Sequence, residues 1–383
     1  MAREDKFMQV NFLRGVPADE ALKPVAAVFG KAYQAVLDEF GDRLVQYQTP
    51  GLSNFLGFVP LKRTIASRFG LPGDPDKRVI CTNGGMETLS FLLRSFPPGK
   101  IATDAVTYDR VLQDIARHGH QAIGVAYGKD GVDLDALDAI LATEDVHLFY
   151  QVGYHHNPLG TTVSLHNMET AAQVCARHAT LHVIDIAYFE LRYDGAKNTL
   201  VNLQEYGANT AMLGSFTKTL SPGTKCGFGI LPERVVSQMT PVISNARLNP
   251  NYPTQAAINY LIESSFYDTH LQYLANVYRP RMNMTNQIVA KRFGHLSLPN
   301  LTGGFFLGLW LPGIVDENEF INRVKQRGVT IAISQVFPPG MKEKYCVDRQ
   351  QSFFRLTFPA FSPPEIEFGI NVIADIYSEM SVI

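Results

Sequence analysis

Short apolar runs alternate with longer amphipathic stretches through the middle of the chain. Residues 78–82, 146–150, 182–185, 210–214 and 227–230 read as buried strands. Each is brief, apolar and bounded by Gly, Asn, Asp or Pro. Between them lie stretches with helical periodicity. Ser164 is placed to cap a helix in which Leu165, Met168, Ala172 and Cys175 recur at three- and four-residue steps. Residues 86–94 and 110–118 read the same way. Strand, helix, strand, repeated over residues 75–230, predicts an α/β domain with a mostly parallel sheet and helices on both faces. Ligands of such sheets sit beyond the carboxyl ends of the strands, so functional residues are expected just after the apolar runs.

The last third changes character. Residues 303–311 predict a strand with glycines on one alternation. A helix follows near residues 317–326, then strands at 329–333 and 353–358, then a helix after Pro364. This is a smaller α+β unit. Residues 266–295 predict a long connecting helix, interrupted or kinked near Pro280. The expected organisation is an N-terminal arm at 1–45 packing on the small domain, a large domain at 46–270 and a small domain at 271–383.

Composition narrows the function classes. The 383 residues carry 34 Lys+Arg against 36 Asp+Glu, a formal charge of −2, with no long run of like charges. Nucleic-acid binding through phosphate neutralisation calls for a cationic excess, so it is not expected. Hydrophobic residues make up 46%, enough for a sizeable core. Cys81, Cys175, Cys226 and Cys346 are scattered and form no CxxC pair, which argues against a metal clip and for a reducing compartment. The charged N-terminus lacks an apolar segment after it and no apolar run reaches about 18 residues, so a cytoplasmic protein without membrane association is expected.

Four local features stand at the predicted strand ends. Thr82-Asn-Gly-Gly-Met-Glu87 joins a strand to a helix, and its glycines allow backbone amides to turn inward as an anion site; a plain tight turn is the bland alternative. Tyr154-His-His-Asn-Pro-Leu-Gly160 is a turn in which Asn157 is a candidate side-chain donor. His155 and His156 are adjacent and point apart, so local hydrogen bonding suits them better than metal ligation. Asp185-Ile-Ala-Tyr188 follows an apolar strand; Asp185 is either a helix cap or a carboxylate aimed at a cationic ring nitrogen, with Tyr188 able to reach the same ligand. Ser215-Phe-Thr-Lys-Thr-Leu-Ser-Pro-Gly-Thr-Lys225 places Lys218 after a strand among hydroxyls. Alone it reads as a surface lysine; beside Asp185 and Asn157 it reads as a Schiff-base lysine. Ser215, Thr217 and Lys225 then offer donors and charge for a phosphate. Arg355 lies on an apolar strand and either pairs with an internal acid or awaits a substrate carboxylate.

Taken together, Asn-Pro-x-Gly, Asp-x-x-Tyr, Ser-x-Thr-Lys with Ser-Pro-Gly-x-Lys, and Arg-Leu-x-Phe make the chain resemble the pyridoxal-phosphate-dependent aminotransferases of fold type I, class I/II. Within that group it is similar to the 2-aminoadipate aminotransferase branch. Segments 11–17, 57–62 and 355–358 extend the resemblance over nearly the whole chain. The resemblance implies a seven-stranded sheet, pyridoxal 5'-phosphate as cofactor, and transfer of an amino group from an amino acid to a 2-oxo acid through a Schiff base at Lys218 and a Cα carbanion. It implies that Lys218 shuttles the proton, that Asp185 pairs with the pyridinium nitrogen, and that Asn157 and Tyr188 hydrogen-bond the ring hydroxyl. Tyr108 matches the aromatic that stacks on the ring. Gly85, Met86, Ser215, Thr217 and Lys225 match phosphate contacts, and Tyr47 matches a tyrosine reaching the partner's phosphate in a homodimer with shared sites. Arg355 matches the α-carboxylate arginine.

The chain departs from the family's usual pattern at several positions. Gly85-Met86 replaces a common Ser-Gln pair, Lys225 replaces an arginine, and His156 stands where Gln or a small residue is usual. Arg14 stands where glycine is common and could reach a substrate anion. Segment 49–56 is longer than usual and is expected near the substrate mouth. Elimination, replacement or carbon–carbon bond formation on the same scaffold, for example with S-adenosylmethionine, therefore stays open as the alternative chemistry. An effector domain of a transcription factor is a third reading, disfavoured because too few residues precede the large domain to hold a DNA-binding module.

Overall fold

The computed structural model describes residues 8–13, 15–332 and 335–381. Its centre is a seven-stranded sheet. In chain order the strands are β1 (Val79–Thr82), β2 (Lys100–Asp104), β3 (Gln121–Val125), β4 (Val146–Val152), β5 (Leu181–Asp185), β6 (Thr210–Ser215) and β7 (Gly227–Ile230). Their order across the sheet is β1-β7-β6-β5-β4-β2-β3. All neighbours run parallel except β7, which is antiparallel to both β1 and β6. The α/β expectation and the seven strands are met. Two strands, β2 and β3, escaped the apolar-run criterion. Lys100-Ile-Ala-Thr-Asp104 and Gln121-Ala-Ile-Gly-Val125 begin on polar residues, and Ala, Thr and Gly leave too little apolar signal.

The helices between strands cover both faces. Ser164 caps the Leu165–Arg177 helix as its position predicted, its hydroxyl accepting from the Asn167 amide at 3.1 Å. The buried side chains of β1, β5 and β6 divide between the two faces, as the alternation of side chains along a strand requires.

A second core lies under a smaller unit. There β8 (Phe306–Pro312) pairs antiparallel with β9 (Gln351–Thr357), and the Glu317–Gln326 and Pro363–Met380 helices pack beside them. The strand expected from 303 starts only at Phe306. Gly303 and Gly304 are instead wedged against Leu191 and His155, where any Cβ would collide, and Gly304 takes φ +69°. The strand expected at 329–333 is only Val329–Thr330, paired with Val10–Asn11; Ile333 lies outside the described residues. The long helix runs unbroken as Phe266–Phe293, with Pro280 inside it.

The N-terminal segment divides between the two cores. Val10 and Phe12 pack with the small unit, and Gly369 leaves just the room the Phe12 ring occupies. Further along, Val25, Ala32 and Val36 of the Asp19–Phe40 helix join the large core beside the Tyr252–Glu263 helix. The helix carries its apolar residues along one stripe, and that stripe follows whichever core lies beneath it.

Candidate active site

A cavity of about 940 Å³ opens at the carboxyl ends of the parallel strands. Its wall includes Gly85, Met86, Tyr108, Asn157, Asp185, Tyr188, Ser215, Thr217, Lys218, Lys225 and Arg355. Every residue expected at the site is therefore there except Arg14 and Tyr47. Arg14 lies outside the described residues. Tyr47 is 72% exposed and does not line this chain's cavity.

Asp185 ends β5 and points into the cavity rather than serving only as a cap. Its Oδ2 accepts from the Tyr150 hydroxyl at 2.6 Å and its Oδ1 from the Ala187 amide at 2.8 Å. Desolvation raises its pKa, while these bonds and the charges of His156 and Lys218 oppose the rise. A carboxylate under that tension is stabilised by a cation placed beside it. Tyr150 was not anticipated. Its only sequence signal was a phenol near the end of an apolar strand, where a buried hydroxyl needs a partner.

Lys218 follows β6 and its ammonium lies 3.4 Å from the Gly15 carbonyl. Its pKa is lowered to about 8, first by desolvation and then by Lys225, Arg110 and Arg355, against the pull of Asp185. An amine so placed is partly neutral near pH 7 and can attack a carbonyl.

The anion corner forms between β1 and β6. Gly84 takes φ +136° and the Gly85–Arg94 helix begins beside it. The first amides of that helix, at Gly85 and Met86, have no preceding turn to bond. Ser215 Oγ and Thr217 Oγ1 lie 2.8 Å apart on the same wall, and Lys225 adds a charge from a backbone at φ +46°. Gly227 is required here, since a Cβ on it would lie 2.5 Å from Gly84 Cα. Glu87, itself on the cavity wall, holds the turn closed. It accepts from the Asn83 amide at 2.9 Å and side chain at 2.8 Å and pairs with Arg247 at 3.2 Å.

Arg355 reaches in from β9. It donates to Asn157 Oδ1 at 3.2 Å and to the Leu13 carbonyl at 3.1 Å, and its guanidinium carbon lies 5.0 Å from the centre of the Phe306 ring. It has no internal acid partner among the described residues, and its Nε is buried without a hydrogen bond. The buried-pair alternative for Arg355 is therefore set aside. Tyr188 lines the cavity with its ring against the edges of Phe305 and Phe306.

His155 and His156 do not line the cavity. His156 Nε2 lies 3.1 Å from Asp104 Oδ2, both side chains fully buried. His155 meets Asn198 at 3.0 Å, and burial lowers its pKa to about 3, so it is neutral. Segment 49–56 also differs from expectation. It turns into a hairpin, Ser53–Asn54 against Gly57–Phe58, with Leu52 and Leu56 buried, and none of it lines the cavity. Its apolar residues are consumed by packing. Arg110, which does line the cavity, was missed because a single arginine in an amphipathic helix carries no distinctive signal.

These groups fit a phosphorylated pyridine aldehyde. Lys218 offers an amine for the aldehyde, Asp185 a carboxylate for a ring nitrogen, Tyr108 a ring face, and the Gly85 corner donors for a phosphate. Fold and cavity thus suit an enzyme that works through a carbonyl cofactor. Residues 9–373 match the family described as aminotransferase class I and II, and the chain belongs to it. The chain is 23% identical to an aromatic-amino-acid aminotransferase of Thermococcus litoralis, over 97% of this chain and 88% of that one. It is 24% identical to a 2-aminoadipate transaminase of Thermus thermophilus, over 84% and 79%. Among solved structures it is similar to an alpha-aminoadipate aminotransferase of Thermus thermophilus complexed with N-(5'-phosphopyridoxyl)-L-leucine. That match has a TM-score of 0.82 at 22% identity and covers 97% and 92% of the two chains.

The protein is accordingly a pyridoxal-phosphate-dependent aminotransferase acting on amino acids and 2-oxo acids. The alternative of elimination, replacement or bond-forming chemistry is not favoured.

Proposed function

We propose that Lys218 holds the cofactor and moves the proton at the substrate Cα, while Asp185, oriented by Tyr150, pairs with the ring nitrogen. Bound pyridoxal phosphate supplies an electron sink for the pair of electrons left at Cα. In this reading Asn157 and Tyr188 hold the ring hydroxyl and Tyr108 covers one ring face. Gly85, Met86, Ser215, Thr217 and Lys225 take the phosphate. Arg355 takes the substrate α-carboxylate in a fork, steadied by Asn157, and so aligns the Cα hydrogen toward Lys218. The observation that carries the reading is the joint exposure of the Lys218 amine, the Asp185 carboxylate and the Arg355 guanidinium to one cavity.

We further propose a homodimer in which Tyr47 reaches the partner's phosphate corner. Support comes from an apolar exposed patch: Val45, Tyr47 and Leu248 are 74%, 72% and 66% exposed, and Gln48 donates to the Leu248 carbonyl at 3.4 Å. The proposed division is an arm at 1–45, a large domain at 46–270 and a small domain at 271–383; two cores support it, with the arm contributing to both rather than to the small domain alone. Four buried free thiols support a reducing, cytoplasmic setting.

The test is a visible-absorbance screen of the holoenzyme with amino acids and no acceptor. Amination of the cofactor by at least one amino acid, reversed by a 2-oxo acid, is expected. Lys218→Ala should abolish it. No spectral response to any amino acid, or a response unchanged in Lys218→Ala, would refute the assignment.

A further inference from the structure

Glu87 is an awkward neighbour for an anion. It stands in the first turn of the Gly85–Arg94 helix and lines the cavity with Gly85 and Met86, where the reading above seats a phosphate. A carboxylate beside a phosphate repels it and weakens the hold of Lys225 and the helix amides. Yet the same carboxylate has structural work. Its two oxygens accept from the Asn83 amide and the Asn83 side chain, and so close the turn. The corner uses the hydrogen bonds of Glu87, while its charge opposes the ligand.

Arg247 meets that charge from behind the wall. It follows the Glu233–Ala246 helix, does not line the cavity, and its side chain is 11% exposed. One terminal nitrogen donates to Glu87 Oε2 at 3.2 Å. The other donates to the Cys81 carbonyl at 2.6 Å and to the Phe55 carbonyl at 3.3 Å. Phe91, one turn beyond Glu87 on the same helix, lies with its ring centre 5.4 Å from the guanidinium carbon. The arginine is therefore fixed by the end of β1, by the hairpin at 53–58 and by the helix that opens the anion corner. Desolvation lowers its pKa, and Glu87 is the first group to oppose that fall. Among the described residues Glu87 forms no other ion pair.

We propose that Arg247 is a positioning residue for the cofactor phosphate: it holds and neutralises Glu87, so that this carboxylate closes the Asn83 turn without repelling the anion bound there. Arg247 does not itself touch the phosphate. The inference rests on the reading that places the cofactor phosphate at the Gly85 corner.

The test is a titration of the full-length protein, freed of cofactor, with pyridoxal phosphate and with pyridoxal, followed by absorbance. The readout is the preference for the phosphorylated form. Arg247→Gln should lower that preference at least about tenfold while leaving pyridoxal affinity within about threefold. Arg247→Lys, which keeps the charge, should retain most of it. Glu87→Gln alone should raise the preference, because it removes the repelling charge and leaves that of Arg247 unopposed. Added to Arg247→Gln, it should bring the preference back to within about threefold of the native value. If Arg247 bound the phosphate directly, the double variant would show no recovery. If the pair were only a brace for the turn, Glu87→Gln would lower the preference as well. Either outcome would overturn the proposal, as would a preference unchanged in Glu87→Gln, and that measurement stands whether or not Arg247→Gln folds. A native protein without any preference for the phosphorylated form would refute the phosphate assignment and the inference with it. A native preference that survives intact in Arg247→Gln would refute the inference alone.

Discussion

Replacing Lys225 by Gln tests the electrostatics of the Lys218 amine directly. Lys218 has a pKa near 8 instead of the ordinary 10.5, with desolvation the first cause and Lys225 the next. At pH 7 a pKa of 8 leaves about 10% of the amine neutral, roughly 300-fold more than an ordinary lysine offers. Removing the Lys225 charge leaves desolvation untouched and takes away one repulsion. The Lys218 pKa should rise by on the order of one unit, and the neutral fraction at pH 7 should fall about tenfold.

The assay uses cofactor-free protein and pyridoxal, which lacks the phosphate and so does not call on Lys225 as a ligand. Capture is trapped with borohydride and read by mass at Lys218. In the native protein the rate should rise with pH to a midpoint near 8; in Lys225→Gln the midpoint should lie higher and the rate at pH 7 should be lower. Lys225 is exposed, so its effect is open to screening, whereas desolvation is not. At about 1 M salt the screening length is about 3 Å, and the native protein should move part of the way toward the variant. A native midpoint at 10 or above would refute the desolvated amine. A midpoint unmoved in Lys225→Gln would refute the repulsion.

Two further substitutions probe the groups that brace the site. His156→Ala should destabilise the protein in urea unfolding by about 3–5 kcal/mol, because it leaves the buried Asp104 carboxylate with the Val152 amide alone, and His156→Gln should cost clearly less. Tyr267→Phe removes a hydroxyl that donates to Glu190 at 2.6 Å and meets Thr219 at 2.9 Å; it should cost about 1–3 kcal/mol in urea unfolding and slow pyridoxal capture by the adjacent Lys218.

The sheet was legible where strands are buried on both faces. Residues 146–150, 182–185, 210–214 and 227–230 all fall within β4 to β7, because a strand covered by helices on both sides must be apolar throughout. β2 and β3 were not legible. They lie toward one end of the sheet, and their Lys100, Thr103, Asp104 and Gln121 dilute the signal. Pro280 signalled an interruption or a kink, and the Phe266–Phe293 helix carries on through it without interruption. Both cores hold that helix in place: Tyr267 packs in the large one, and Leu274 and Tyr278 in the small one, so tertiary packing outweighs one lost backbone bond.

The site was legible to the extent that its residues end strands. Asp185, Ser215 and the Gly84 turn follow apolar runs directly, and the topology of a parallel sheet brings such positions together. What the pattern could not separate is which polar groups satisfy one another. His155 and His156 stand beside Asn157 in sequence, yet Asn198 and Asp104 occupy both rings, and the cavity receives only the asparagine. Tyr150 looked like core and proved to hold the carboxylate. Arg355 was expected either to pair with an internal acid or to await a substrate carboxylate; among the described residues it has no acid partner, its donors resting on neutral oxygens at Asn157 and Leu13. A guanidinium held by neutral acceptors is oriented without being neutralised. That difference separates Arg355 from Arg247 and Arg281, whose charges are met by Glu87 and Glu20 within the fold.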